Sequence, residues 1–318
     1  MSRPRRTRKK ILKTLLPALL LAAAALVGAF AWLIYGVAHP PQRAYLVTPE
    51  KFKQMSPRGV GATEERWANR DGTEARGWLL RGGEGSPGVV LLHAYAADRS
   101  WLLNLAVKLN ETTNFTVLCP DARGHGENPP VGWTSLGAAE AEDALAAISF
   151  LRSLRTTQNR PLANSTVGLY GVEMGAYAAL SAAGSGKYVR ALALDSIPVA
   201  PDALLRSGVR NKIGLDNALV QGLARGAAQI YYLGRYRNTP SCQLAASITD
   251  RRVLLLTGEA AGELRSSTTA LASCFPSTTS VELQNALPLT GYNFTSATSE
   301  QGEIYDRRII EFFDAALR

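Results

Sequence analysis

The sequence predicts an α/β protein: a mostly parallel central sheet with helices on both faces and a helical insertion late in the chain, preceded by one transmembrane helix. Three observations predict it. Short, continuously apolar runs alternate with segments of helical spacing, and strands that are apolar on both sides are those buried between two layers of helices. One such run, inside STVGLYGVEMGAYAALSAA (Ser165 to Ala183), passes through a turn bracketed by Gly171 and Gly175 directly into an Ala/Leu-rich helix. Near the N-terminus, Leu15 to Ala38 contains no charged residue.

Taken in chain order, residues 1–13 form a basic tail with Arg3, Arg5, Arg6, Arg8, Lys9, Lys10 and Lys13 and no acid. The tail therefore holds most of the net charge of +9, and the folded remainder is close to neutral, which excludes a basic nucleic-acid surface. The uncharged stretch is 24 residues long, enough at about 1.5 Å per residue to cross a hydrocarbon core. We assign 14–38 as the anchor, with Pro17 near its start and Trp32 and Tyr35 at its far interface. A cleaved signal peptide ending at Gly36-Val37-Ala38 is the alternative, but its apolar region is usually only about 7 to 15 residues. The basic flank places the N-terminus in the cytoplasm and the rest of the chain on the outer side of the cell membrane.

Residues 39–62, punctuated by His39-Pro40-Pro41, read as a linker, and the folded domain is expected over 63–318. A hairpin opens it, Thr63 to Ala68 and Ala75 to Leu80 around Asn69-Arg70-Asp71-Gly72-Thr73. Val89 to Leu92 is a buried strand, Asp98 caps a helix running to about Asn110, and Phe115 to Cys119 is the next strand. A helix over Ala138 to Leu154 leads to the strand Thr166 to Tyr170, and Val189 to Leu194 follows as another strand. About 197–250 departs from this rhythm and reads as a helical cap inserted between two strands. Strand Arg252 to Thr257, a helix near Ser267 to Ser273, strand Thr279 to Leu283 and a helix from about Gln301 to Leu317 complete the chain.

Three cysteines leave one unpaired at best. A Cys242–Cys274 bridge is allowed in an oxidising compartment, and no pair has metal-ligand spacing, so no metal or other cofactor is expected.

Three motifs stand in order: Val89-Val90-Leu91-Leu92-His93-Ala94-Tyr95 with Asp98-Arg99-Ser100, then Pro120-Asp121-Ala122-Arg123-Gly124-His125-Gly126, then Gly171-Val172-Glu173-Met174-Gly175. Together they resemble the α/β-hydrolase superfamily over nearly everything from residue 63 onward, in particular membrane-anchored serine hydrolases related to bacterial esterases and prolyl-oligopeptidase-type peptidases. The resemblance implies a nucleophile elbow at Gly171 to Gly175, with the nucleophilic serine's place taken by Glu173. It implies oxyanion donors at the N–H of Met174 and in the loop at Ala94 or Tyr95. It implies an acid at Ala261 and a histidine at Tyr292, so that all three triad positions are replaced. His93, Asp121, Arg123 and His125 are then expected to be structural.

A carboxylate can itself attack an alkyl carbon, but turnover then needs a base to activate water. Glu259 and Glu263 could join Glu173 in a two-carboxylate site, although lone glutamates are mostly solvated. A buried Glu173 is expected to seat its carboxylate on the vacant oxyanion donors, including those at the N-terminus of the following helix. The leading expectation is a membrane-anchored pseudohydrolase whose former cleft takes a small molecule, peptide or protein. An active hydrolase working through Glu173 or a rearranged site, and a structural envelope protein, are the competing readings.

Overall fold

The computed structural model describes residues 4–55, 59, 61–287, 290, 291 and 299–318; the position of the expected histidine, Tyr292, lies outside them. The elements, in order, are α1 (Pro4–Ala38), α2 (Pro49–Met55), β1 (Ala62–Ala68), β2 (Glu74–Leu80), β3 (Ser86–Leu92), α3 (Leu103–Thr113), β4 (Thr116–Pro120), α4 (Ala138–Ser153), β5 (Ala163–Val172), α5 (Met174–Ser185), β6 (Val189–Asp195), α6 (Pro201–Ile213), α7 (Ala218–Tyr231), α8 (Ser241–Ala245), β7 (Arg252–Gly258), α9 (Glu263–Leu271), β8 (Ser280–Leu287) and α10 (Ser299–Leu317). The chain divides into two compact units, one of 1–37 with 205–236 and one of 38–204 with 237–318.

The larger unit is built on an eight-stranded sheet in the order β1-β2-β4-β3-β5-β6-β7-β8. Only β2 runs against its neighbours; β4, β3, β5, β6, β7 and β8 are parallel. Alternate residues of each strand feed two separate cores. Val89, Leu91, Val117, Tyr170, Val172, Leu254 and Leu256 pack under α3 and α10. Val90, Leu92, Leu118, Leu169, Leu192, Leu194 and Leu255 pack under α4 and α5. Gly168 lets α10 lie flush on the sheet: a Cβ there would stand 2.6 Å from the ring of Phe313.

Four expectations are corrected. The segment after α1, expected as a linker, carries α2 and packs within the sheet unit: the Tyr45 hydroxyl donates to Asp121 Oδ2 at 2.6 Å and the Leu46 N–H to Ser100 Oγ at 3.0 Å. Asp98 does cap, but it caps a 3-10 turn, Arg99–Leu102, that leads into α3. The helix expected from Ser267 starts earlier, at Glu263, straight after the 3-10 turn that ends β7. The last strand extends beyond Leu283 to Leu287, paired along β7.

The interval between β6 and β7 holds α6, α7 and α8, and the sheet unit takes both ends of it. Cys242 on α8 is bonded to Cys274, 32 residues on, pinning α8 beside the end of α9; Cys119 is the free, buried third cysteine.

The smaller unit joins α1 to the middle of that interval. α1 is one continuous helix of 35 residues, with Leu15–Ala38 long and apolar enough to cross a membrane. Because it begins at Pro4, Pro17 falls well inside the helix rather than near its start, and costs it one internal hydrogen bond.

Candidate active site

The turn between β5 and α5 is a nucleophile elbow in its backbone. Glu173 stands at φ 50° and ψ −107°, a conformation that costs a residue with a Cβ about 1–3 kcal/mol and persists only where surroundings enforce it. The two glycines explain the enforcement. A Cβ on Gly171 would lie 2.3 Å from the carbonyl oxygen of Gly175, and one on Gly175 would lie 2.4 Å from that of Leu92. Only Gly-x-x-x-Gly lets strand, turn and helix close this tightly against the end of β3.

At the apex, the Glu173 carboxylate turns inward. The residue is 8% exposed, and Oε2 accepts the backbone N–H of Tyr95 at 3.2 Å. Tyr95 is one of the expected oxyanion donors. The other, at the start of α5, does not take part: Glu173 makes no side-chain capping bond to its own helix. Burial with that single donor pushes the carboxyl up to about 7, so near neutral pH it holds its proton about half the time. The Tyr95 phenol is raised to about 12, first by its own burial and then by the facing carboxylate.

Neither loop histidine supplies a base. His93 Nε2 accepts the Ala122 N–H at 3.0 Å while Nδ1 lies 2.8 Å from the Ala94 carbonyl. His125 repeats the arrangement, with Nε2 accepting from Ala96 at 3.0 Å and Nδ1 on the Arg123 carbonyl at 2.8 Å. In each ring the proton is therefore on Nδ1, and the lone pair that would take a proton from substrate or water is already spent on an amide. Burial, with His93 alongside, lowers His125 to about 3. The pair, 5.1 Å apart edge to face, splices the loop after β3 to the loop after β4.

Asp121 and Arg123 are likewise engaged by groups within the chain. Asp121 faces Arg99 Nε at 3.3 Å and Arg76 Nε at 3.5 Å, and it accepts the Tyr45 hydroxyl; Arg123 forks onto Asp143 and reaches Asp71. The desolvated phenol of Tyr45, beside that carboxylate, rises to about 12.

Strand order, elbow and both histidine splices are what a hydrolase of this architecture needs, and residues 89–290 match the family model described as "Alpha/beta hydrolase family". The chain belongs to the α/β-hydrolase family. Among solved structures it is similar to the Pyrococcus furiosus esterase Pf2001 (TM-score 0.61, 19% identity, 88% of this chain and 98% of that one). It is also similar to the Pyrococcus horikoshii acylaminoacyl peptidase (TM-score 0.58, 14% identity, 81% of this chain and 42% of that one). A third likeness is to a dienelactone hydrolase from Anabaena variabilis (TM-score 0.52, 13% identity, 81% and 99%). At these identities the likeness speaks for the fold alone. No curated protein matches the sequence.

Against the α/β-hydrolase frame, the remaining expected positions divide. Ala261 is buried in the turn after β7, Ala94 is buried at the start of the loop after β3, and Met174 is fully buried at the start of α5. Glu259 and Glu263 are exposed and do not join Glu173. Among the described residues, no group of three or more His, Cys, Asp or Glu side chains could hold a metal ion.

Sequence reading missed the carboxylate of Asp195, the last residue of β6. It is wholly buried and accepts from the Gly291 N–H at 2.5 Å, from Ser196 Oγ at 2.7 Å and from the Tyr305 hydroxyl, which is itself 2.7 Å from the Tyr170 hydroxyl. Burial raises it to about 6 against the pull of these three donors. Its backbone carbonyl also accepts the Glu173 N–H at 2.9 Å. Asp195 thus ties the elbow to the residue just before Tyr292. A Cβ at Gly291 would stand 2.7 Å from the Tyr170 hydroxyl, so only glycine brings that loop so close. The signal in the sequence was an aspartate ending an apolar strand, an otherwise costly place for a charge.

Proposed function

We propose that this α/β-hydrolase is a single-pass, membrane-anchored pseudohydrolase whose former cleft binds a small molecule, peptide or protein instead of turning one over. The observation that carries this reading is the Glu173 carboxylate on the Tyr95 N–H, where a transition-state oxyanion would need that donor. A residue that fills the oxyanion site from within competes with the chemistry the site once served. The committed Nε2 atoms of His93 and His125 support the same reading. The Cys242–Cys274 bond supports an oxidising location for the folded part, in keeping with the basic tail on the cytoplasmic side.

A second reading is favoured by one observation: a carboxyl poised near 7 suits a general base or nucleophile at neutral pH. The two are separated by assaying the full chain in detergent on short-chain p-nitrophenyl esters and with a fluorophosphonate probe. The pseudohydrolase gives neither turnover nor labelling. Turnover that disappears in Glu173→Gln establishes the catalytic reading instead.

A further inference from the structure

The smaller unit carries an apolar surface that the hydrolase fold does not use. In α7, Ala224 and Ala228 are buried, whereas Leu219 and Ile230 are 73% and 75% exposed, Leu223 is exposed on the same side, and Leu233 just past the helix is 84% exposed. At 100° per residue, Leu219, Leu223 and Ile230 fall within one narrow stripe, flanked by Gly226, whose surroundings are open. Gln221, Arg225 and Gln229 gather on the side away from it. The helix therefore has a small-residue face toward protein, a polar face, and a large apolar face that protein leaves uncovered.

What covers that face follows from the company α7 keeps. The same compact unit contains α1, and α6 crosses the outer end of α1 so closely that a Cβ on Gly208 would meet both Val37 methyl groups at 3.0 Å. Lys212, in the last turn of α6, lays its side chain over Gly36, its Nζ only 2.8 Å from where a Cβ would be. The hydroxyls of Tyr231 on α7 and Tyr35 on α1 are near enough to interact electrostatically. Trp32 and Tyr35, both exposed, mark the level at which α1 leaves the hydrocarbon. α7 is thus fastened to the anchor at the height of the headgroups, where an exposed Leu/Ile stripe meets acyl chains.

We infer that α7 is a second membrane element, lying in the plane of the outer leaflet with Leu219, Leu223, Ile230 and Leu233 in the acyl region. Helices of this kind sink their apolar face about 5–10 Å below the headgroups, with cationic side chains at phosphate level. Lys212, in the last turn of α6 beside Gly36, suits that level. The consequence is that the smaller unit holds the bilayer through two elements, α1 and the outward face of α7.

This inference rests on the anchor reading, and one experiment separates the two. The full chain is reconstituted in phosphatidylcholine vesicles with an environment-sensitive nitrobenzoxadiazole label at Leu26→Cys, Leu223→Cys, Ile230→Cys or Arg225→Cys, one at a time, and quenched by lipids spin-labelled at shallow or deep acyl positions. The expected result is blue-shifted emission lost to the shallow quencher at positions 223 and 230, little loss at 225, and loss to the deep quencher at 26. Water-like, unquenched emission at 223 and 230 with quenching retained at 26 overturns the inference and leaves the anchor standing. Unquenched emission at 26 overturns the anchor reading. Disulfide crosslinking between unlabelled Leu223→Cys copies, with no lipid quenching there, assigns the stripe to a second copy of the chain and also overturns the inference.

Discussion

The Glu173 carboxylate accepts the Tyr95 backbone N–H at 3.2 Å, so the side chain at the apex of the turn between β5 and α5 is tied to the loop after β3. The bond is intramolecular and joins residues 78 apart in the chain. The burial of Glu173 gives the bond a pH signature.

The Glu173 carboxyl is raised from 4.5 to about 7 in the folded chain. Between these values the native state holds a proton that the unfolded state releases, so its contribution to stability is complete below pH 4.5 and is lost as pH rises through 7. The difference corresponds to about 3 kcal/mol. Glu173→Gln removes the titration while keeping an acceptor for Tyr95. We expect the variant to gain stability over the native chain by about 2 to 3 kcal/mol on going from pH 5 to pH 8, read by thermal or denaturant unfolding in detergent. A constant difference across that range would remove the pH role assigned to Glu173.

Serine alone at position 173 is expected not to restore chemistry. With His93 and His125 both committed to amides, Glu173→Ser is expected to stay unlabelled by fluorophosphonate. Glu173→Ser with Tyr292→His brings a base to the residue after Gly291, whose N–H already holds Asp195. That double variant is expected to label roughly a hundredfold faster or more, the contribution of a positioned base, and to lose the gain on adding Asp195→Asn. A gain that survives Asp195→Asn would show that Asp195 is not a latent acid of this site.

Asp121 holds the post-anchor segment as well as the loops. Asp121→Asn takes from the buried Arg99 one of its two carboxylate partners among the described residues, leaving Glu64 at 2.9 Å and the Tyr45 hydroxyl at 2.9 Å, and weakens the seat of Tyr45. Breaking such a pair costs about 3–5 kcal/mol; the lower end is expected here because Glu64 remains. Chemical denaturation gives the loss, and protease cleavage around 45–55 should rise with it.

The Cys242–Cys274 bond closes a separation of 32 residues. Chain-entropy arguments assign a loop of that size about 3 to 4 kcal/mol. Cys242→Ser is expected to lower stability by that amount under oxidising conditions and to match the reduced native chain. No effect of reductant on the unfolding midpoint would contradict the pairing.

By itself the sequence determined the layer order, the strand-turn-helix at Gly171 to Gly175, the apolar span of α1 and the glutamate between those two glycines. These are local signals: uninterrupted apolar runs, paired glycines and the absence of charge each act over a few neighbouring residues. Tertiary structure alone decided what the polar groups do. His93 meets an amide 29 residues away, Asp195 meets Gly291 across 96 residues, and Glu173 turns to Tyr95 rather than to its own helix. It also decided that Leu219, Leu223 and Ile230 face outward, since the helical period fixes the stripe but only packing chooses which side of α7 is covered. A buried donor or acceptor takes whichever partner the fold brings within about 3 Å, and that distance is set by how the strands and loops pack, not by spacing along the chain.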